Sequence, residues 1–108
     1  MTHITFFKNS DKEITGFYSA GHAGYAESGS DIICSAISAL TINTINSIQY
    51  FTEDKFDVSV NEDEGSVIFK MASSIGPETS ILLKSYELGI NSVAKDNPKY
   101  LSISVKEV

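Results

Sequence analysis

The sequence predicts an α+β fold, a two-layer sandwich in which two helices pack on a mixed sheet in the order ββαββαβ. Five short runs rich in β-branched and aromatic residues indicate strands. Two longer runs with apolar residues at helical spacing indicate helices. The chain has 108 residues, which is the length of one domain, so we expect residues 1–108 to form a single domain.

The strands are predicted from local composition and from the turns between them. The first two strands are joined by a polar turn at residues 9–12, which is typical of an antiparallel hairpin. The third and fourth flank an acidic turn in which Gly65 supplies the tight bend, and they predict a second hairpin. The predicted strands are Thr2–Lys8, Glu13–Ala20, Phe56–Val60, Ser66–Met71 and Tyr100–Val105.

The first helix is predicted from about Ile32 to Tyr50, with Ser30 or Asp31 as the N-cap. Its apolar positions spread over an arc of roughly 200° on a helical wheel. That arc is wider than contact with one sheet requires, so we expect a second surface, such as a symmetric partner subunit, to cover part of it. The residues of the arc are Ile33, Ile37, Leu40, Ile42, Thr44, Ile45 and Ile48.

The second helix is predicted from Pro77 to Lys95, because proline is favoured at the first helical position and Asp96-Asn97-Pro98 ends the pattern. Gly89 in its interior costs about 1 kcal/mol relative to alanine, so we expect close packing against a neighbour there. The apolar stripe of this helix is predicted to be Ile81, Leu82, Leu88 and Val93.

Composition excludes several functional classes. Fourteen acidic and eight basic residues give a net charge of -6, which argues against a phosphate-backbone partner and is compatible with a basic substrate. The chain carries one cysteine and no apolar leader, so a reducing cytoplasm is the expected compartment. No run of 18 uninterrupted apolar residues occurs, so no membrane association is expected. No motif predicts a metal or another cofactor.

The stretch from Gly21 to Ser38 gathers most of the chemistry of this sequence. It places Cys34 in the first turn of the first predicted helix. It places His22 at the start of the glycine-rich loop that leads into that helix. A thiol, a base and a helix N-terminus are the minimum parts of a cysteine hydrolase. The helix N-terminus favours negative charge on the sulfur, whereas Asp31 as the N-cap would partly oppose it.

The loop from Gly21 to Ser30 also contains Gly24 and Gly29, which predict a mobile segment able to close over a substrate. From the residues alone, other interpretations stay open. A lone cysteine is often a small buried hydrophobic residue. The sequence Gly21-His22-Ala23-Gly24 also fits the GXXG loop of KH modules. In KH modules, however, that loop carries basic residues and joins two helices, whereas this one has no basic residue of that kind and joins a strand to a helix. The G-x-S-x-G elbow of serine hydrolases is absent.

Four segments of this sequence resemble the ribosomal-processing cysteine protease family, Prp, of bacteria. They extend over nearly the whole chain in order, and the histidine–glycine loop followed by an aspartate–cysteine helix start is the most specific feature. The segments are Gly21-His22-Ala23-Gly24, Ser30–Ser38 (SDIICSAIS), Leu88-Gly89 and Asn97–Leu101 (NPKYL).

The resemblance implies that His22 and Cys34 form a catalytic dyad, with Cys34 as nucleophile and His22 as general base and acid. Asp31, Ser38 and Gly21 are interpreted as supporting residues, with Ser38 beneath the thiol. The resemblance further implies a homodimer and a substrate, the N-terminal extension of the large-subunit ribosomal protein L-twenty-seven. The competing hypothesis is a non-catalytic ribosome-associated binding module with the same dimeric fold.

Overall fold

The computed structural model describes residues 1–21 and 28–108, and for residues 28–31 it describes the backbone only. Seven elements follow one another in the predicted order ββαββαβ. Apart from the start of the first helix, their boundaries lie within two residues of the predicted ones. The elements are β1 (Thr2–Lys8), β2 (Ile14–Ala20), α1 (Ser28–Phe51), β3 (Phe56–Asn61), β4 (Ser66–Met71), α2 (Pro77–Asp96) and β5 (Leu101–Glu107).

The five strands form one mixed sheet in the order β3-β4-β2-β1-β5. Both predicted hairpins are present, because β1 pairs antiparallel with β2 and β3 pairs antiparallel with β4. The last strand, β5, runs parallel to β1 with Thr2 opposite Leu101. Because the two strands run in the same direction, the C-terminal residue Val108 lies beside the end of β1, where its N–H donates to the carbonyl oxygen of Lys8 over 2.9 Å.

Both helices pack on one face of the sheet. On that face Phe6, Phe17 and Phe69 lie side by side across β1, β2 and β4. The ring of Tyr86 on α2 stands with its centroid 5.7 Å from that of Phe6 and 4.6 Å from that of Phe17. The side chains without exposed surface include Ile4, Phe6, Phe17, Ile48, Phe69, Leu83 and Ile90. The α+β sandwich predicted from the sequence is therefore confirmed.

The opposite face of the sheet is more polar. There the Thr5 hydroxyl on β1 bonds the Ser104 hydroxyl on β5 over 2.9 Å, and the His3 imidazole bonds Ser102. The Lys70 ammonium lies 5.8 Å from the centre of the Phe7 ring on the same face.

The predicted apolar stripe of α2 is right for two of its four residues. Leu82 and Val93 are partly buried and pack against the core, whereas Ile81 and Leu88 are 67% and 71% exposed. The positions that face the core instead include a threonine and a tyrosine, whose hydroxyls find hydrogen-bond partners inside the fold. The core-facing side of α2 therefore combines aliphatic with polar and aromatic residues, and Ile81 and Leu88 lie on the opposite side of the helix. The buried residues of α2 are Thr79, Leu83, Tyr86 and Ile90.

The described residues cover only part of the apolar arc of α1. Ile37, Thr44 and Ile48 are buried, while Ile42 is 57% exposed. Gly89 of α2 does lie against α1, because a Cβ built at Gly89 would stand 3.5 Å from both methyl carbons of Leu40. That is an ordinary contact distance, so the two helices pack here without requiring glycine.

Residues Ile32–Phe51 of α1 are long and apolar enough to cross a membrane, with a mean hydropathy of 1.3. Our criterion of an uninterrupted apolar run missed this because serine, threonine and asparagine interrupt the segment. The same helix supplies Ile37 and Ile48 to the core. Core helices of soluble proteins share this length and composition, so the absence of a membrane role stays a prediction.

Candidate active site

Cys34 is a free, half-buried cysteine on the wall of a cavity of about 210 Å³. The cavity lies where β1 begins, β2 ends and β4 begins, and the N-terminal half of α1 closes it from the helix side. The lining residues are Thr2, Ser19, Gly21, Cys34, Ile37, Ser38, Thr41, Ile42, Gly65 and Val67. The predicted nucleophile is therefore accessible to a small group that enters from solvent.

Two of the predicted supporting residues share this cavity with Cys34. Ser38 follows Cys34 by one helical turn and lines the same wall, as the helical spacing indicates. Gly21 closes the cavity at the end of β2. The fold thus brings Gly21, Cys34 and Ser38 together, and their roles in catalysis stay predictions.

The backbone of Gly21 has a conformation and an environment that suit only glycine. Its φ is +144°, and a Cβ there would stand 2.7 Å from the Cα of Thr2 and 2.8 Å from the carbonyl oxygen of Met1. The Gly21 N–H donates a 3.3 Å hydrogen bond to the carbonyl oxygen of Gly65. The end of β2 is therefore held between the start of β1 and the β3–β4 turn.

Several predicted site residues lie outside the described part of the chain. His22 and Gly24 belong to residues 22–27, and the side chain of Asp31 is likewise outside the description. The dyad therefore stays a prediction. The residue that precedes His22 in the sequence, Gly21, lines the cavity beside Cys34.

The predicted start of the first helix is wrong by four residues. The helix α1 begins at Ser28, so Gly29 belongs to its first turn and Asp31 is inside the helix rather than its N-cap. The N–H groups of a first turn lack helical partners in any case, which lets serine, glycine and aspartate enter it at small cost. Cys34 consequently lies beyond the first turn, where the helix dipole has little effect on a side-chain charge.

The cavity is lined on its inner side by a hydrogen-bond chain that joins the two helices. The Thr41 hydroxyl donates to the carbonyl oxygen of Ile37 over 2.8 Å, so its oxygen is left to accept from the Tyr86 hydroxyl at 2.7 Å. Burial raises the pKa of Tyr86 to about 12, although the Thr41 hydrogen bond acts in the opposite direction. Tyr86 is therefore a neutral structural donor below the cavity at physiological pH.

Thr2 was not predicted as a site residue, yet its hydroxyl oxygen lies 3.3 Å from the Cys34 sulfur. A signal for it was present in the predicted hairpin of the first two strands. Once His3 pairs with Ala20, Thr2 necessarily stands beside Gly21 at the same end of the sheet. None of the side chains described along the cavity wall carries a formal charge, and hydroxyl groups are the polar neighbours of the thiol among the described residues.

The sequence matches the family described as "Cysteine protease Prp" over residues 1–102. The chain belongs to the cysteine protease Prp family. It is thus a cysteine protease, and this membership favours catalysis over the non-catalytic binding module. Among curated relatives, the "Ribosomal processing cysteine protease Prp" of Bacillus subtilis (strain 168) is 24% identical over 108 residues, which cover 96% of each chain. The Prp protein of the same name from Staphylococcus aureus (strain Mu50) is 20% identical and covers 98% of this chain and 100% of its own.

Solved structures show the Prp fold as well. The crystal structure of the S. aureus ribosomal processing protease Prp in complex with a substrate peptide superposes with a TM-score of 0.92 at 19% identity, covering 98% of this chain and 100% of that one. The structure of SMU.848 from Streptococcus mutans has a TM-score of 0.87 at 24% identity, covering 100% of this chain and 96% of that one. The two-helix, five-strand architecture is therefore common to these proteins.

Proposed function

We propose that this chain is a cytoplasmic cysteine endopeptidase that removes the N-terminal extension of the large-subunit ribosomal protein L-twenty-seven. The observation that carries the proposal is the Cys34 thiol on the wall of the cavity at the end of β2. Support comes from the names of the curated relatives, which are ribosomal processing proteases. Further support comes from an S. aureus relative crystallised with a covalently linked product peptide.

In the proposed first step, the Cys34 thiolate attacks the carbonyl carbon of the scissile peptide bond. A sulfur–carbon bond forms and the carbonyl electron pair moves onto oxygen. Backbone N–H groups near the start of α1 or in the glycine-rich segment before it are the donors that we propose for this oxyanion. When the carbonyl reforms, the carbon–nitrogen bond breaks and the protonated His22 gives its proton to the departing amine.

In the second step, water releases the acyl group. His22 takes a proton from the water as its oxygen adds to the acyl carbon, and the carbon–sulfur bond then breaks. The products are a carboxylic acid and the regenerated Cys34 thiolate. His22 thus carries the proton in both steps, so Cys34 and His22 are sufficient for the cycle.

The charge of the chain is consistent with this substrate. Ribosomal proteins are basic, and a net charge of -6 favours encounter with a basic chain at low ionic strength. We propose no direct contact with nucleic acid, since the eight lysines and arginines are outnumbered by fourteen acidic residues.

The test follows a peptide that carries the N-terminal extension of L-twenty-seven by mass spectrometry. We expect two defined fragments with wild type and an intact peptide with Cys34→Ala. The matched control is Ser35→Ala, which removes a similar side chain from the exposed neighbouring position of α1 and is expected to cleave like wild type. An intact peptide with folded wild type, or cleavage by Cys34→Ala, would contradict the proposal.

We also propose that the chain forms a homodimer through an apolar surface beside the cavity. The surface consists of Ile42 on α1 and of Val58 and Val60 on the edge strand β3, which are 57%, 40% and 61% exposed. Val60 is paired with Val67, and Val67 lines the cavity together with Ile42. The three side chains therefore lie near Val67 on the face of the sheet that carries the helices. An exposed apolar patch of this kind is typical of an interface.

Light scattering after size-exclusion chromatography tests the dimer. Wild type is expected at twice the chain mass of 11.7 kDa, and Val60→Asp is expected at the monomer mass, because a buried carboxylate without a partner weakens an interface. Leu88→Glu is the control, since it places a charge at an equally exposed apolar position on α2. A monomeric wild type at micromolar concentration would exclude the dimer, and a dimeric Val60→Asp would exclude this surface.

A further inference from the structure

Thr2 is in direct contact with the sulfur on which the proposed reaction depends. Its hydroxyl oxygen lies 3.3 Å from the Cys34 sulfur, a hydrogen-bond distance for this pair, although the two residues are 32 positions apart in sequence. Thr2 is 5% exposed, so water has little access to this contact from the β1 side. The contact joins the first residue of the sheet to the cavity-lining end of α1.

The position of the Thr2 hydroxyl is fixed by the strands around it. The Thr2 N–H donates to the carbonyl oxygen of Tyr100 over 2.9 Å, and Thr2 is paired with Leu101 across β1 and β5. On the other side, Gly21 approaches so closely that its missing Cβ would overlap the Cα of Thr2. A β-branched side chain in a strand has few rotamers available. The backbone contacts and the small number of available rotamers therefore hold the Thr2 hydroxyl towards the sulfur.

The direction of this hydrogen bond depends on the charge of the sulfur. A neutral thiol and a hydroxyl can each donate to the other, but a thiolate can only accept. When Cys34 ionises, the hydrogen bond must run from Thr2 to sulfur, and a hydrogen bond to an ionised acceptor is the stronger kind. Because no charged side chain is described along the cavity wall, the Thr2 hydroxyl is a main polar contact of the ionised sulfur within the described chain.

We propose that Thr2 is a positioning residue for the protease reaction: its hydroxyl donates a hydrogen bond to the ionised Cys34 sulfur and holds that side chain at the cavity. This inference rests on the proposed function, in which Cys34 is the nucleophile. Thr2 loses no bond and transfers no proton in the cycle. Its effect is on the orientation of the attacking sulfur.

The test measures alkylation of the single cysteine by iodoacetamide in the full chain between about pH 6 and pH 10, where thiolates form. We expect Thr2→Val, which preserves shape and removes the hydroxyl, to react about 3–10-fold more slowly near pH 7. We expect Thr2→Ser, which retains the hydroxyl, to react like wild type. Thr5→Val is the matched control, because it removes a hydroxyl hydrogen bond from the opposite face of the same strand.

The outcomes separate this inference from the proposed function. Equal alkylation of folded Thr2→Val and wild type would overturn the positioning role, even if the peptide is cleaved. Slow alkylation of both Thr2→Val and Thr2→Ser would also overturn it, because the hydroxyl retained in Thr2→Ser would then not preserve the reactivity of the cysteine. Slow Thr2→Val, normal Thr2→Ser and an uncut peptide would support the contact with the thiolate and reject the proposed substrate. Melting curves of all variants verify that each is folded.

Discussion

Asp54 and Thr79 are joined by a 2.6 Å hydrogen bond that connects the end of α1 to the start of α2. The same carboxylate oxygen of Asp54 accepts the N–H of Gly76 at 2.9 Å. Gly76 is the N-cap of α2 and has no side-chain cap of its own. A carboxylate from the loop between α1 and β3 thus binds the N–H of the N-cap residue, a contact that the side chain of the third helical residue makes in a capping box. The Thr79 and Gly76 hydrogen bonds hold the pKa of Asp54 below its ordinary value of 3.8.

The first prediction concerns acid stability. Since the pKa of Asp54 is lowered by folding, its contribution to stability is present above its unfolded pKa and is lost as pH falls through the folded one. Asp54→Asn should therefore be less stable than wild type at pH 7, and the difference should shrink below about pH 4. Urea unfolding at pH 7 and at acid pH measures this. Glu53→Gln, at the exposed neighbouring position, should behave like wild type, and a pH-independent difference for Asp54→Asn would contradict the assignment.

The second prediction concerns Tyr86. Tyr86→Phe removes the donor to Thr41 and should lower the free energy of unfolding by about 1 kcal/mol at neutral pH. Because the pKa of Tyr86 is raised to about 12 in the fold, the stability that its neutral form contributes is present below pH 10 and is lost between pH 10 and pH 12. This component of the alkaline loss should be missing in Tyr86→Phe. Tyr50→Phe, at a position 82% exposed, is the control. If Tyr86→Phe loses stability between pH 10 and pH 12 as wild type does, the prediction for Tyr86 is contradicted.

The third prediction concerns the glycine beside the cavity. Gly21→Ala should destabilise the fold by about 1–3 kcal/mol, because its φ of +144° is unfavourable for alanine and the new methyl group would overlap Thr2. Displacement of Thr2 should also slow alkylation of Cys34. Chemical denaturation and iodoacetamide kinetics measure the two effects. A variant as stable as wild type would mean that the end of β2 can relax away from Thr2.

The fourth prediction has the opposite sign. At Gly89 an added Cβ would meet Leu40 at the ordinary distance of 3.5 Å, so Gly89→Ala should gain helix propensity without a clash. We expect the free energy of unfolding to rise by about 0.5–1 kcal/mol. Comparison of this variant with Gly21→Ala by urea unfolding gives a matched pair of glycine substitutions. A destabilised Gly89→Ala would show that the two helices pack more tightly there than these contacts indicate.

Part of the site was accessible to sequence reasoning. The single thiol at Cys34 and the cavity neighbour Ser38 could be named in advance, because helical spacing relates residues one turn apart whatever the helix packs against. Gly21 could be named because a glycine at a strand end is a local signal. The start of α1 could not, since serine, glycine and aspartate are common both in loops and in a first helical turn.

The order ββαββαβ, both hairpins and the family are recognisable in the sequence, because strand composition, turn residues and apolar periodicity act over short stretches of chain. The contact between Thr2 and Cys34, and the position of Tyr86 rather than Leu88 in the core, are visible only in the three-dimensional fold. These contacts depend on strand register and on the rotation of each helix about its axis. Strand register and helix rotation are set by packing between segments that are distant in sequence. In that packing, a buried hydroxyl that has a hydrogen-bond partner can occupy a position that hydrophobicity alone would assign to an aliphatic side chain.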